Sequence, residues 1–489
     1  MSNSATISKN TAALLAGYFI SYGLRFVYVS VLARYIGATG LGQILTATAL
    51  VSIAILLVNF GLDTLIVRDV AASPGKASKY VTNIAFLRFL LTLVFTILLA
   101  IVASLSNYPY ETKAIIALYG LTYVLDAFSS IARSIFNAFQ RMVFSSATDL
   151  LRDLLNIGFS LLGIWLGWSL IAIVTVSVGA SLIKLIISLV AMVRRFVRPR
   201  FQIDLHLCGQ LLSSAIPFAV IIVIGVASTQ VSTVILSWSG TAESVGIYAA
   251  AAMPISMLMV LPNIFMESIL PAFSERYQNS AISLAQSYSY SFKVMLIVGL
   301  PMAAGTILVS EHLIPLIFGQ GFAKAALVMD IMAVQLITMV GYVNGAFLNA
   351  TNRQTLFAIL RAAMTVLSII LSVILIRIYS YVGAALAVTI PALVDFGLYS
   401  ILCHRYAGLP LPLRTIGRTT LAALIMTGAG YLALKAGVNV IAVVFPLAPA
   451  LYVAALILLK VIGDVEKQFF TGILPHRWLQ QVFQVDGNE

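Results

Sequence analysis

A chain of 489 residues that is 61% hydrophobic and only 9% charged lies far from the soluble norm of roughly half and a quarter. A mean hydropathy of +1.03 excludes a soluble globular fold, because no polar shell remains to cover so much apolar surface. The net charge of +12 must then sit at the edges of a membrane or inside it.

In chain order, apolar stretches long enough to cross about 30 Å of hydrocarbon are predicted at 11–36, 42–66, 80–105, 114–138, 148–167 and 170–193. A break follows, and then come 209–237, 245–273, 287–310, 323–349, 355–378, 381–402, 415–436 and 440–462. The expected fold is therefore an all-α polytopic membrane protein of about fourteen spans. The first apolar run is too long for a cleaved leader and carries Arg25, so it is expected to be a span.

Loop charge sets the orientation. With the N-terminus inside, inner loops carry Lys76, Lys79, Arg141, Arg194, Arg195, Arg198, Arg200, Arg276, Arg353, Arg405, Arg414 and Arg418, and the tail adds Lys467 and Arg477. Outer loops hold little beyond Lys113, Lys324 and Lys435. The positive-inside rule then puts both termini in the cytoplasm and the protein in the cell membrane. Omitting one span would invert the second half and destroy the asymmetry. Most of the basic excess is thus topogenic, and no loop has the length or aromatic interleaving of a nucleic-acid surface. Cys208 and Cys403 form neither a disulfide framework nor a CxxC zinc cluster.

The longest basic connection, RRFVRPRFQIDLHLC at 194–208, follows span six, and the sequence echoes itself on either side. Span one leads into IGATGLGQ and span seven into SGTAESVGIY, aligning Gly42 with Gly246. Span four ends in FNAFQRMVF and span ten in LNATNRQTLF, aligning Asn137 with Asn349 and Arg141 with Arg353. Two matches in register point to a parallel six-plus-six duplication. The expected organisation is an N-lobe over 1–193, a basic linker over 194–208, a C-lobe over 209–402, two extra spans within 403–462 and a tail over 463–489.

The motifs GATGLGQ, NFGLDTLIVRD, AFLNATNRQ and YVGAALAVTIPALV, in this order and spacing, resemble the oligosaccharide-lipid flippases. These are the O-antigen and polysaccharide exporters of the multidrug/oligosaccharidyl-lipid/polysaccharide superfamily. The resemblance covers spans one to twelve. It implies two six-helix lobes around a central cavity, alternating access, and a polyprenyl-phosphate-linked glycan as cargo.

Polar residues recur on single faces of several spans. Span four carries Thr122, Asp126, Ser130, Arg133, Asn137 and Gln140 at helical spacing, and span one Tyr18, Tyr22, Arg25 and Tyr28. Span five carries Arg152, Asn156 and Ser160, span six Ser177, Ser181, Lys184 and Ser188, and span eleven Arg361, Thr365, Ser368 and Ser372. Span three adds Arg88 with Thr92, and span eight Ser256, Asn263 and Glu267. Polar groups facing lipid are costly, so such stripes predict a water-accessible interior.

The plainer alternatives differ by residue. Serine stripes also glue helices together. Lys184 and Lys293 are within snorkelling reach of the interface and are read as anchors, and Arg68 beside Asp69 as topogenic charge or a local ion pair. Arg25 lies deepest, its plain alternative being a pair with Asp126 or another carboxylate. A guanidinium stays charged and offers paired donors that match phosphate oxygens. Arg25, Arg88, Arg133 and Arg361 are therefore the candidate phosphate ligands, with Tyr18, Tyr22, Tyr28 and Asn137 as cavity groups. Asp126, Asp330, Asp395 and Glu267 are candidates for ion coupling or charge balance, with Asp126, which shares a face with Arg133, expected to neutralise arginines in the resting state. The coupling ion would be H+ or Na+, and no other cofactor or metal is expected.

No GxxxxGK[ST] loop provides for ATP. The outer loops are too short for a glycan-processing active site, and His312 has no catalytic partner among them, so an enzyme is not expected. The rival reading is an ion-coupled multidrug antiporter of the same superfamily, which would want a carboxylate-dominated cavity. Here intramembrane arginines at least equal the acids. Spans thirteen and fourteen, with Gly428, Gly430 and Gly437, are suited to packing against a prenyl tail.

Overall fold

Residues 2–200 and 202–461 are described in the computed structural model, with side chains described from residue 23 onward except at 221. The expected tail over 463–489, with Lys467 and Arg477, lies outside the described residues, as do the side chains of Tyr18 and Tyr22. Among the described residues all regular structure is helical. Hydrocarbon offers no water to backbone N–H and C=O groups, and a helix satisfies them within one segment.

The first helix, α1 (Ser2–Ala54), joins the expected first span to the second through a turn at Gly37, whose φ of 70° and ψ of −177° suit a residue without a Cβ. A short turn of helix, Leu56–Asn59, precedes a break at Phe60 and Gly61, and α2 (Leu62–Ala72) follows. Next come α3 (Ala77–Leu105), α4 (Tyr110–Ala138), α5 (Met142–Trp165), α6 (Leu170–Arg195) and α7 (Leu205–Ser239). They are followed by α8 (Ala242–Leu258), α9 (Val260–Asn279), α10 (Ala281–Phe318), α11 (Ala325–Ala333) and α12 (Val340–Ala350). The long α13 (Gln354–Ala407) reverses at Ser380, so the expected spans eleven and twelve share one helical run. The described chain closes with α14 (Leu413–Lys435) and α15 (Ala448–Leu458).

Ten helical stretches among the described residues are long and apolar enough to cross a membrane. This is a multi-pass membrane protein. Its helices are arranged for lipid: α3 leaves Phe89, Leu93, Val94 and Ile97 exposed while burying Arg88 and Phe95. The helix α5 is not among the ten, because Asp149, Arg152 and Asp153 fall in its middle.

By mutual contact the described chain divides into two compact units. One comprises residues up to 253 with 315–325 and 365–387; the other comprises 254–314, 326–364 and the residues from 388 on. The first is cored by Leu62, Ile66, Val81, Ile135 and Phe136, and separately by Ile44, Val51, Phe95, Ile115 and Ile173. The second is cored by Phe273, Phe292, Phe347 and Met426, around a buried knot in which the Tyr288 hydroxyl donates to Asn344 Oδ1 at 2.8 Å. Asn344 in turn donates to Ser400 Oγ at 3.1 Å.

Features aligned by the sequence repeat have matching geometry. Gln140 and Asn352 both take positive φ, 56° and 58°, and the N–H after each reaches back five residues. Arg141 thus donates to the Phe136 carbonyl, and Arg353 to that of Leu348, each at 2.8 Å. Gly42 and Gly246, both in the first unit, meet across a helix crossing. A Cβ on Gly42 would lie 1.6 Å from the Ala242 carbonyl oxygen, and one on Gly246 1.9 Å from that of Ala38. Small residues four apart on each helix let the two backbones touch.

The basic connection is strapped along α3. The Ser78 hydroxyl donates to the Arg198 carbonyl at 2.8 Å and accepts from Arg200 N–H at 3.1 Å. Thr82 donates to the Arg200 carbonyl at 2.7 Å, and Asn83 Oδ1 accepts from Asp204 N–H at 2.8 Å. Lys79 Nζ closes the strap on Asp204 at 2.7 Å.

Candidate functional site

One face of α5 presents Asp149, Arg152, Asp153, Asn156 and Ser160 at helical spacing. In the first unit this face meets polar residues from α1, α4 and α6. Arg25 Nη2 lies 2.7 Å from Asp153 Oδ2 and 3.0 Å from Oδ1, while its Nε lies 3.1 Å from Oδ2. Arg152 stands 3.5 Å from Asp153 and 3.4 Å from Asp126, and its Nε donates to Ser181 at 3.2 Å. Lys184 contacts Asp126 at 3.2 Å and Asp149 at 2.8 Å. The chain of contacts Arg25–Asp153–Arg152–Asp126–Lys184–Asp149 alternates three cations with three carboxylates. Such compensation is what makes charge tolerable away from water, where an unpaired ion costs several kcal/mol.

Burial is uneven along the chain. Asp153 is 6% exposed and Arg25 53%. Arg25 thus turns one edge of its fork inward to the carboxylate and leaves Nη1 without a hydrogen bond among the described residues. Tyr28, Tyr119 and Tyr123 lie within electrostatic reach of Arg152. They add rings and hydroxyls on the side facing α1 and α4.

The second pair in this unit has the opposite character. Arg88 is fully buried, its Nη2 2.7 Å from Asp63 and its Nη1 donating to Ser130 Oγ at 2.8 Å and to the Ala127 carbonyl. Ser130 and Ser134 also donate to Asp63. These donors tie α3 to α2 and α4 and are spent on protein, so the expectation that Arg88 offers its guanidinium to a phosphate does not describe this conformation. Arg133 is exposed, near enough to Asp63 for their charges to interact.

In the second unit Arg361 Nη1 lies 3.5 Å from Asp395, with the guanidinium 56% exposed and the carboxylate 13%. Asp330 is half-buried near Ser310 and Glu311, one carboxylate oxygen unpaired. Glu267 is exposed on α9. Asn137 accepts from Ser145 at 2.9 Å and so braces the turn into α5. Arg353 stacks over Tyr406, 3.6 Å from the ring centroid. No group of three His, Cys, Asp or Glu among the described residues could hold a metal ion.

Ion pairing departs from expectation at Lys184 and goes beyond it at Asp126. Asp126 does pair with an arginine, Arg152, and with Lys184 rather than with the Arg133 of its own face, because the face of α4 that carries it turns toward α5 and α6. Lys184 is no interfacial anchor; it is buried between two carboxylates. The partners Asp149, Asp153 and Asp63 were not anticipated, although Asp149 and Asp153 lie on the Arg152 stripe of α5 at spacings of three, four and one. Arg68 and Asp69 do form the local pair, at 2.7 Å, with Tyr80 donating to Asp69 at 3.0 Å.

Residues 7–277 match the family model described as polysaccharide biosynthesis protein. The probable low-salt glycan biosynthesis flippase Agl15 of Haloferax volcanii is 23% identical over 428 residues, which cover 86% of this chain and 89% of that protein. Among solved structures, the lipid II flippase MurJ in an inward closed conformation matches with a TM-score of 0.75 at 15% identity, covering 92% of this chain and 98% of that one. An inward-facing multidrug resistance MATE transporter of the MOP superfamily matches with a TM-score of 0.57 at 15% identity, covering 79% and 94%. These likenesses establish the fold, two lobes of helices as in MOP transporters. The family model covers more than half of the sequence, and this chain belongs to the polysaccharide biosynthesis protein family.

Proposed function

We propose that this protein flips a polyprenyl-phosphate- or diphosphate-linked oligosaccharide from the cytoplasmic to the outer leaflet of the cell membrane, for assembly of cell-surface glycan. The observation that carries the reading is the asymmetry of the Arg25–Asp153 pair, in which a guanidinium within a spanning helix faces outward and its carboxylate is buried. Arg361 and Asp395 repeat that asymmetry in the second unit. Exposed guanidinium forks suit phosphate. The names of the relative Agl15 and of the structural neighbour MurJ point the same way.

A multidrug antiporter shares the fold, but a site for cationic drugs needs the carboxylate outward, and in both pairs it is inward. In the proposed cycle the phosphate enters from the cytoplasm onto Arg25 while the prenyl tail stays in lipid. Rocking of residues 1–193 against 209–402 then exposes the head group outside. Both termini remain cytoplasmic, α14 and α15 pack against the tail, and no covalent chemistry occurs. A proton or sodium gradient acts through Asp126, Asp330, Asp395 or Glu267.

Flipping of a fluorescent polyprenyl-diphosphate glycan in proteoliposomes tests the reading. The wild type should transport it, and Arg25→Ala and Arg25→Lys should lose most of the rate while remaining folded. Absence of glycolipid flipping together with ion-linked efflux of cationic dyes would overturn the proposal.

A further inference from the structure

The Arg25 fork is already occupied, by a side chain with phosphate-like geometry. Two guanidinium nitrogens reach both carboxylate oxygens of Asp153 at 2.7–3.1 Å. A planar guanidinium holds either a carboxylate or a phosphate in this way. Asp153 also has a second cation, Arg152, at 3.5 Å, so a displaced carboxylate would not be stranded. The surrounding cluster is charge-balanced, Arg152 and Lys184 being matched by Asp126 and Asp149. An incoming anion therefore meets no net attraction beyond what it gains by replacing Asp153.

We propose that Asp153 is an internal guard anion: it holds Arg25 in the empty protein and admits only lipid head groups with more charge than its own. The inference rests on the reading of Arg25 as the phosphate ligand, and adds which lipids that ligand refuses. An ordinary anionic phospholipid presents a phosphodiester with one negative charge. Exchanging it for Asp153 trades one charged fork for another and gains little. A glycan joined to its prenyl chain through a diphosphate brings about two charges and repays the exchange. One joined through a single phosphate is itself a phosphodiester, so the guard commits the cargo to the diphosphate. Bulk phosphodiester lipids outnumber a glycolipid carrier in any membrane, so without the guard they would fill the site. Arg152 receives the displaced carboxylate, which keeps the guard reversible.

Asp153→Asn keeps the shape and removes the charge, and it separates guarding from positioning. In detergent, the full-length Asp153→Asn protein should bind geranylgeranyl diphosphate about tenfold more tightly than wild type, the equivalent of one lost competing charge-assisted contact. Its flipping is referred to its own rate in proteoliposomes of zwitterionic phosphatidylcholine. In vesicles rich in phosphatidylglycerol it should fall about fivefold or more, an occupancy effect, while the wild-type rate stays nearly unchanged. Weaker diphosphate binding in Asp153→Asn would make Asp153 a positioning residue for Arg25 and overturn the guard. A rate indifferent to phosphatidylglycerol in the variant would overturn it as well.

If Asp153→Asn does not fold, Arg152→Gln supplies the test in the opposite direction. With Arg152 gone, Asp153 depends on Arg25 alone, so diphosphate binding should weaken severalfold while flipping stays insensitive to phosphatidylglycerol. Unchanged or tighter binding overturns the inference. A separate control isolates the underlying reading: if Arg25→Ala binds the diphosphate as wild type does, the phosphate is not at Arg25, whatever Asp153 does.

Discussion

Within the first unit the pairs Arg25–Asp153 and Arg88–Asp63 are both closed at 2.7 Å, and they are built inside out relative to each other. In Arg88–Asp63 the guanidinium is wholly buried and spends its donors on Asp63, Ser130 and the Ala127 carbonyl. In Arg25–Asp153 the carboxylate is buried and the guanidinium half-open. Equal separation therefore does not mean equal function. A buried guanidinium whose two terminal nitrogens are both bonded to protein locks helices together, whereas an open one backed by a buried carboxylate keeps a face for something else. What decides between them is which member of the pair looks outward.

That contrast is sharpest if each arginine is removed in turn. Arg88→Ala leaves Asp63 and two serines facing a void, and breaking a buried pair typically costs about 3–5 kcal/mol. It should lower the thermal unfolding midpoint in detergent strongly and reduce the yield of monodisperse protein. Arg25→Ala should do the reverse. Its unfolding midpoint should change little, since Arg152 still faces Asp153 and keeps the buried carboxylate paired. Its flipping rate in proteoliposomes should fall by about tenfold or more, the scale of one lost charge-assisted contact. Equal loss of stability in both variants would erase the distinction.

A gentler test restores what the first removes. A well-packed apolar pair of similar volume is often as stable as a buried ion pair. Arg88→Met combined with Asp63→Leu should recover the midpoint to within about 1 kcal/mol of wild type. Flipping by that double variant should also be kept, because a lock needs no charge. A stable double variant that cannot transport would move Arg88 from lock to ligand.

The sequence made the membrane class and the matching turns of the repeat legible, because hydropathy and turn chemistry are local. The Gln140–Arg141 and Asn352–Arg353 turns carry the same backbone in both units. Ion-pair partners were not legible. Periodicity shows which residues share a face, but the rotation of α4 toward α6 decides that Asp126 meets Lys184, 58 residues away. Lys184 has the stem length to snorkel, and nothing local distinguishes that from a buried salt bridge. Asp153 was hidden for a related reason. Three charges in the middle of α5 depress its apolar character, and that local dip was the available signal of a polar cluster.

The strap between α6 and α7 offers a smaller and purely local counterpart to the two intramembrane pairs. Asp204 caps α7 by accepting from Leu207 N–H at 3.1 Å, and the Lys79 ammonium sits 2.7 Å away. The bond from Lys79, and secondarily that backbone N–H, holds the Asp204 carboxyl below the usual carboxylate range. A depressed folded value means that the pair contributes at pH above the unfolded value of about 3.9. That contribution is lost only as pH falls through the lower folded value. The strap should accordingly be equally protected at neutral pH and at pH 5, and loosen in stronger acid. Asp204→Asn mimics the acid state at neutral pH while an amide oxygen can still cap the helix. Trypsin should then cut after the exposed Arg200, the bond after Arg198 being blocked by Pro199, only severalfold faster, because the Arg200 carbonyl remains held by Thr82. Cleavage at the wild-type rate would show that this hydroxyl bond suffices and that the exposed pair, unlike its two counterparts within the membrane, secures nothing.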